Sequence, residues 1–246
     1  MLTLSEGPQD LSSALGAAIA QQAKGDIQPA FKIVSELAGR DNLTCILQQL
    51  VADPLWLQQV ADRSYYHPNN FVKIVLLQGA QPDWKLRLHV WWPAADTDPK
   101  AEDIHSHRWD FTTAIVTGEY QATEFTTGPG LEHYHYEYQL AGDLRSFRMK
   151  LLGKASLAPV FQARLPTGTV YHISHKVLHR VSSARSSLTA TLMMQGPPRR
   201  TCTDVFSANQ VGHQPESEIP LRRLEAPTLR SQLMKFQECL DHKQGQ

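Results

Sequence analysis

Residues 104–111 read IHSHRWDF, and residues 112–120 continue as TTAIVTGEY. His105 and His107 are two residues apart in a run that is predicted to be a strand, where alternate side chains point to the same face. Their imidazoles can then share one metal ion. A histidine pair, a second strand and the turn at Gly118 are what a metal site at the mouth of a small β-barrel needs. Taken alone, the pair fits a solvent-exposed strand face equally well.

A third histidine comes from residues 166–181, PTGTVYHISHKVLHRV, which begin with a proline-glycine turn and continue as strand. Three histidines lie in this segment. His179 shares its predicted face with valines two residues away on either side, so it is expected to point inward as a ligand. His172 and His175 are predicted to be strand-surface residues.

Four stretches together resemble the cupin superfamily and, within it, the thiol dioxygenase branch of cysteine dioxygenase and 3-mercaptopropionate dioxygenase. Residues 86–93, LRLHVWWP, are similar to the strand that ends in a Trp-x-Pro turn before the first ligand. Residues 104–107 resemble the P-I-H-D-H segment, and residues 178–181, LHRV, the I-H-R-V segment of the third ligand. Residues 191–198, TLMMQGPP, lie where the family has a strand ending in Ser-Pro-Pro. The likeness covers roughly residues 65–200.

The resemblance implies an all-β core, a cupin-type double-stranded β-helix or jelly-roll barrel, and apolar residues at helical spacing add N-terminal helices and a C-terminal helix. It implies a metal site made of His105, His107 and His179. Iron(II) is the favoured metal, and zinc, nickel and manganese remain alternatives because histidines alone do not choose among them.

The chain departs from the family at the fourth ligand and at the substrate clamp. General cupins often place a glutamate four or five residues after the second histidine, where this chain has Phe111 and Thr112. Thiol dioxygenases hold the substrate carboxylate with an arginine before the barrel, and the comparable residues 65–71, YYHPNNF, contain none. Arg87 is the predicted replacement.

The Ser-His-Tyr relay of thiol dioxygenases falls on Thr191, Met193 and Gln195. Only the threonine hydroxyl is retained, and Thr191 is therefore a candidate catalytic residue. Trp109 is a candidate for the pocket wall, with plain core packing as the alternative. We expect the metal chemistry of thiol dioxygenases to apply to this chain, whereas its substrate need not be a thiol.

The predicted function is a non-haem iron(II) cupin oxygenase, similar to thiol dioxygenases, that uses dioxygen on a small metal-chelating substrate, a thiol or another small acid. Three neutral imidazoles leave the ion its full charge and open positions for substrate and dioxygen. The alternative is a non-redox cupin: an isomerase, a lyase or a metal-stabilised small-molecule-binding protein. A barrel that holds no metal is a third reading.

The composition argues against nucleic-acid-binding, membrane and secreted proteins. The 246 residues are 41% hydrophobic and carry 24 basic and 24 acidic side chains, so no net field favours nucleic acid or a membrane as partner. The three cysteines have no motif spacing, which favours free thiols and a cytoplasmic location. The first residues show no secretory signal, and no apolar run is long enough to span a bilayer.

We expect three regions along the chain. Residues 1–63 are predicted to be helical and to pack on the barrel, residues 64–200 to form the barrel, and residues 201–246 to be a loop followed by a helix. An apolar stripe in the last helix (Leu229, Leu233, Phe236, Leu240) is predicted to pack on the barrel or on a second copy in a homodimer.

A rival metal site lies in residues 133–138, HYHYEY, after residues 126–130, which are predicted to be a loop. His133, His135 and Glu137 share one face of the predicted strand, and tyrosines share the other. No apolar residue interleaves on the histidine face, so a solvated polar face is preferred over a second site. Arg108 is predicted to point away from the ligand histidines.

Overall fold

The computed structural model describes residues 8–81, 83–94, 102–140, 146–184, 186–210 and 216–242. The helices in these ranges are α1 (Pro8–Ala23), α2 (Gln28–Ala38), α3 (Arg40–Ala52), α4 (Pro54–Arg63) and α5 (Ala226–His242). The strands are β1 (Tyr65–His67), β2 (Phe71–Ala80), β3 (Asp83–Trp91), β4 (Ile104–His105), β5 (Trp109–Thr117), β6 (Glu119–Leu140), β7 (Ser146–Pro166), β8 (Val170–Ile173), β9 (Leu178–Ser183), β10 (Thr189–Pro198), β11 (Thr203–Ser207), β12 (Glu216–Pro220) and β13 (Arg222–Arg223).

The strands form two antiparallel sheets that enclose a cavity between their inner faces. The first sheet has the order β13-β1-β2-β3-β10-β5-β8, and the second has the order β11-β4-β9-β6-β7-β12, with an additional pairing of β11 with β6. The predicted all-β core with N-terminal helices and a C-terminal helix is confirmed, and its two-sheet barrel is of the jelly-roll kind.

The N-terminal helices α1, α2 and α4 pack on the outer face of the first sheet, and α3 packs against α2 and α4. Leu37 of α2, Leu47 of α3 and Leu57 of α4 belong to the same buried cluster as Leu88 of β3 and Leu192 of β10. Each strand therefore buries one face under the helices and turns the other face into the cavity. None of the helices within the described part of the chain is long and apolar enough to span a bilayer.

The C-terminal helix covers its apolar stripe within the chain itself. Leu229, Leu233 and Phe236 are at most 1% exposed, and Leu240 is 7% exposed. The main packing partners of α5 are α3 and α4, so this helix forms an outer layer over the helices rather than lying on the barrel. The prediction of a packed stripe is confirmed, but its partner is the N-terminal helical region.

Two regions that were predicted to be loops contain strands. β6 runs unbroken through residues 126–130, where a register shift between Thr127 and Leu131 lets the extra residues bulge opposite Leu157. Residues 201–220, also predicted as a loop, contain β11, which pairs with both β4 and β6, and β12, which lies at the sheet edge beside β7. Short strands of largely polar composition give too weak an alternating pattern to be distinguished from loops.

Candidate metal centre

Two of the predicted ligands are cross-strand neighbours in the second sheet. His105 of β4 is paired with His179 of β9, and the centres of the two rings are 4.9 Å apart. Paired residues of neighbouring strands project from the same face, which here is the face that lines the cavity. His179 is 4% exposed. The structure thus places this histidine inward, where the valine pattern predicts it.

His107 joins the pair, although not by strand alternation. β4 ends at His105 and β5 begins at Trp109, so His107 lies in the short connection between them. Its ring centre is 4.9 Å from that of His105 and 5.0 Å from that of His179. The same connection lets Arg108 line the cavity, so the prediction that Arg108 points away from the histidines is wrong.

The three imidazoles bring one nitrogen each into a single small volume. The candidate ligand atoms of His105, His107 and His179 all lie within 4.8 Å of one another, and the Nε2 atoms of His107 and His179 are 2.8 Å apart. Nitrogens bound at about 2.1 Å to one ion are roughly 3.0–3.6 Å apart for angles of 90–120° at the ion. The observed separations bracket this range, so small ring rotations suffice for all three to share an ion.

The surroundings hold all three rings in the neutral form that ligates metals. Burial lowers the pKa of His105 and sets the pKa values of His107 and His179 well below the usual range, with repulsion from other cationic groups adding to it. His105 Nδ1 lies 2.9 Å from the carbonyl oxygen of Asp103. Because a carbonyl only accepts, the proton sits on Nδ1, and Nε2 keeps its lone pair for an ion.

The donor set fits a divalent metal without a carboxylate ligand. Among the described residues, the cluster that includes His105 contains histidines alone. Phe111 occupies one of the two positions at which general cupins often have a glutamate. It is 1% exposed, and its ring centre lies 4.8 Å from that of His107. An aromatic wall therefore stands beside the site. Three imidazoles suit iron, zinc, nickel or manganese, and they do not select one of these.

The histidines line a cavity of about 650 Å³ between the two sheets. This volume is in the range of small-molecule sites. Six cationic side chains line it (Arg63, Lys73, Lys85, Arg87, Arg108, Arg223) against three acidic ones (Asp62, Glu102, Asp103). The lining therefore carries an excess of positive charge before any metal is bound, and it favours anionic ligands.

Arg87 lies on β3, which faces the histidines from the first sheet. It is 5% exposed, and its guanidinium carbon lies 4.8 Å from the ring centre of Trp109. Burial is the largest cause that lowers the pKa of Arg87 to about 10. Its Nε atom is buried and has no hydrogen-bond partner among the described residues. Trp109, 8% exposed, lines the same cavity, as predicted for a wall residue.

Thr191 also lies on the cavity wall, in the register position on β10 that pairs with His89 of β3. It is 1% exposed. Met193, two residues on, lines the cavity as well, whereas Gln195 is buried with an unpartnered Oε1. The strand that carries the predicted relay positions therefore borders the cavity of the histidine cluster. The side chains at these positions lack the acid-base groups of the thiol dioxygenase relay.

Lys73 is a cavity residue that sequence reasoning missed. It lies on β2, is 8% exposed and donates a hydrogen bond from Nζ to the Tyr65 hydroxyl at 2.9 Å. His89, on the neighbouring β3, is also buried in the cavity wall, with no hydrogen-bond partner for Nε2 within the described chain. The signal was present in the sequence FVKIVLL, where Lys73 is the one charge in an otherwise apolar strand.

The rival histidine pair does not form a metal site. His135 Nε2 hydrogen-bonds to Asp204 at 2.9 Å and its ring stacks on Phe206, while the Nδ1 of His133 lies 2.8 Å from the Leu131 carbonyl oxygen. A register shift after His135 breaks the alternation. His133 is 8% exposed, so the prediction of a solvated face is wrong for it.

His172 and His175 lie outside the histidine cluster. His172 Nδ1 lies 3.0 Å from the Thr112 hydroxyl, and His175 Nδ1 hydrogen-bonds to Asp110 at 2.7 Å. Both partners belong to β5, so these histidines tie the start of that strand to the segment around β8.

Comparisons with known proteins find similar solved structures but no similar sequences. No family model and no curated protein matches the chain. KdgF from Halomonas sp. is 12% identical with a TM-score of 0.31, and the match covers 53% of this chain and 81% of that one. A cupin superfamily protein from Desulfitobacterium hafniense is 10% identical (TM-score 0.31, 56% and 87% covered). A double-stranded β-helix protein from Klebsiella pneumoniae is 13% identical (TM-score 0.32, 61% and 95% covered).

Proposed function

We propose that this protein is a cupin-type metalloenzyme, and more narrowly an iron(II)-dependent oxygenase that acts with dioxygen on a small metal-chelating acid. One observation carries the proposal: three neutral imidazoles converge on the wall of a cavity that is lined by six cationic and three acidic side chains. The resemblance of the histidine motifs to those of thiol dioxygenases supports the same reading.

Iron(II) held by His105, His107 and His179 supplies redox chemistry and open coordination positions, which dioxygen-dependent oxidation of a bound substrate requires. Because the three ligands are neutral, they leave the charge of the ion uncompensated. An anionic donor such as a thiolate, enolate or carboxylate offsets that charge best, so the proposal favours substrates that bind as anions.

The chain's own residues then orient the substrate and exclude water. The Asp103 carbonyl fixes the tautomer and the ring of His105. Phe111 and Trp109 supply apolar walls beside His107. Arg87, with its side chain stacked on Trp109, is placed to hold an acidic group of the substrate. Thr191 contributes a hydroxyl to the same wall.

A second candidate, a non-redox cupin that acts as an isomerase or lyase, is favoured by the pair of Lys73 and Tyr65. Burial, followed by repulsion from Arg87, places the pKa of Lys73 well below its usual range. A buried lysine that donates to a tyrosine hydroxyl is a suitable proton-transfer pair. With zinc or nickel at the histidines, this pair would carry acid-base chemistry.

The test measures metal content per chain on protein prepared without a histidine tag, beside His105→Ala, His107→Ala and His179→Ala. We expect about one iron per chain, lost in all three variants. His133→Ala is the matched control, since it removes a buried histidine outside the cluster and should retain the metal. Unchanged metal in the three variants, or loss only in the control, would refute the ligand assignment.

Oxygen uptake separates the two candidates. With iron-loaded protein, a panel of thiols and chelating acids should include compounds that stimulate uptake in the wild type and not in His107→Ala. If zinc or nickel occupies the site and no compound stimulates uptake, the oxygenase proposal fails in favour of the non-redox candidate.

A further inference from the structure

Two arginines flank Trp109 in the cavity lining, a lysine lies on the strand next to that of one of them, and no ion pair among the described residues neutralises these three cations. The guanidinium carbons of Arg87 and Arg108 lie 4.8 Å and 5.1 Å from the Trp109 ring centre. Lys73 lies on the strand next to that of Arg87. In the part of the chain that the structure describes, the ion pairs include none of these three side chains.

Strand register places two of the three cations side by side. In the pairing of β2 with β3, Lys73 is opposite His89 and Val75 is opposite Arg87. Lys73 and Arg87 are therefore diagonal neighbours on the inner face of the first sheet, where such positions are roughly 7–8 Å apart, within reach of long side chains. Both side chains can contact one ligand group between them.

The surroundings of Lys73 and Arg87 disfavour their charged forms. Burial is the first cause that lowers the pKa of Arg87 and of Lys73, and repulsion between cations adds to both effects. Buried charges are normally paired, because moving a charged group out of water costs free energy unless a partner compensates it. The one hydrogen bond of Lys73 is to a neutral hydroxyl, and Arg87 Nε has none among the described residues. The missing partner is therefore an anion.

The acidic residues of the cavity do not supply that anion. Burial raises the pKa of Glu102 to about 8, so this side chain keeps its proton at neutral pH. Asp62 and Asp103 contribute two negative charges against six cations in the lining. A ligand with a single negative charge would leave most of this excess uncompensated.

We propose that Lys73, Arg87 and Arg108 form a subsite for a dianionic group, so that the substrate is a polyanion with a metal-binding donor at one end and a dicarboxylate or phosphate at the other. This inference rests on the proposed function for its metal-binding end only. The fork of a guanidinium matches carboxylate and phosphate oxygens, and the ammonium of a lysine adds a point charge. Simple monocarboxylates and monocarboxylic thiols would fill the subsite incompletely.

The test is calorimetric titration of the full chain with malonate, inorganic phosphate and acetate at constant ionic strength. We expect malonate or phosphate to bind at least tenfold more tightly than acetate, and the stronger of the two identifies the head group. Arg87→Gln and Lys73→Met should each weaken that binding by about tenfold or more, the usual effect of losing a hydrogen bond to a charged group. Lys150→Gln, which removes an exposed charge, should not weaken it.

The same titrations on His107→Ala keep this inference separate from the proposed function. That variant lacks a predicted ligand but retains all three cations, so dianion binding should persist even if no metal is found in the wild type. Equal affinity for acetate and the dianions, or binding unchanged in both cation variants, would overturn the inference.

A stability measurement tests whether Arg87 is only a structural side chain. If it is an unpaired binding group, ligand-free Arg87→Gln should have a higher melting temperature than the wild type, because a buried unpaired charge is removed. A lower melting temperature, with dianion affinity retained, would assign Arg87 to the packing of Trp109 and reject the subsite.

Discussion

Glu102 is a buried acid whose proton affects stability in a defined pH window. Burial raises its pKa from an ordinary 4.5 to about 8, against hydrogen bonds with Asn69 and Trp91 that lower it. Between these two values the folded protein retains a proton that the unfolded chain has lost. Stability contributed by this group is therefore present at low pH, declines as pH rises through the window, and levels off above about pH 8.

We predict that Glu102→Gln removes this dependence. The melting temperature of the variant minus that of the wild type should increase as pH is raised from 5 to 9, because the amide never ionises. Thermal unfolding followed across this range measures the difference, with Glu238→Gln on the exposed face of α5 as control. A difference that stays constant with pH would show that Glu102 is already ionised in the folded protein.

The hydrogen bond between Lys73 and Tyr65 gives a second prediction. Tyr65→Phe leaves the buried Nζ of Lys73 without its partner and should lower the free energy of unfolding by about 1–3 kcal/mol. In the Tyr65→Phe, Lys73→Met double variant the unsatisfied donor is gone, and most of that cost should be recovered. Urea unfolding of the four proteins measures the coupling, and purely additive losses would contradict the assigned bond.

Single residues also show why the lining of the cavity was only partly predictable. The ligand histidines and Arg87 were identified because they lie within stretches that resemble the motifs of a known family. Lys73 was missed, although a lone charge in a strand buried on both faces is expected only where it has a partner or a function. The sequence could not show that partner, because Tyr65 meets Lys73 only through the pairing of β1 with β2.

Among the elements, α5 offers a prediction about how the helical layer is held. Leu233 is fully buried among α3 and α4, whereas the next residue, Met234, is 49% exposed. Leu233→Ala should therefore lower the free energy of unfolding by about 2–5 kcal/mol through lost burial and a residual cavity. Met234→Ala, in the same helix turn, should change it by less than about 0.5 kcal/mol. Similar losses in both variants would mean that α5 is not packed as described.

The connection between β4 and β5 shows what periodicity does and does not predict. The His-x-His spacing correctly suggested two neighbouring imidazoles. However, β4 ends at His105, and His107 lies in the bend that follows it. Alternation fails at such a bend, which is why Arg108 was assigned to the wrong side. In β6, glycine and proline at 128–130 predicted a loop, but pairing with β7 keeps the strand continuous and absorbs them in a bulge.

For the molecule as a whole, the secondary-structure elements were predicted from the sequence better than the cavity between the two sheets. Helical periodicity is local, so the N-terminal helices and the C-terminal helix could be assigned from the chain alone, whereas the barrel was assigned from the resemblance of the histidine motifs. The cavity depends on how two sheets close over each other, which joins residues as distant as Lys73 and His179. Its excess of positive charge is a property of that closure and appears in no single segment.

The same closure makes metal binding a global stability effect. His105 and His107 precede β5, whereas His179 comes from β9, so an ion held by all three links segments that are far apart in the chain. An ion that binds only the folded state stabilises it by mass action, by about 2.7 kcal/mol at a free concentration 100 times its dissociation constant. We predict that a chelator lowers the melting temperature of metal-loaded protein and that restoring the metal reverses the loss. His107→Ala should be insensitive to both treatments, and an equal response of that variant would place the stabilising ion elsewhere in the molecule.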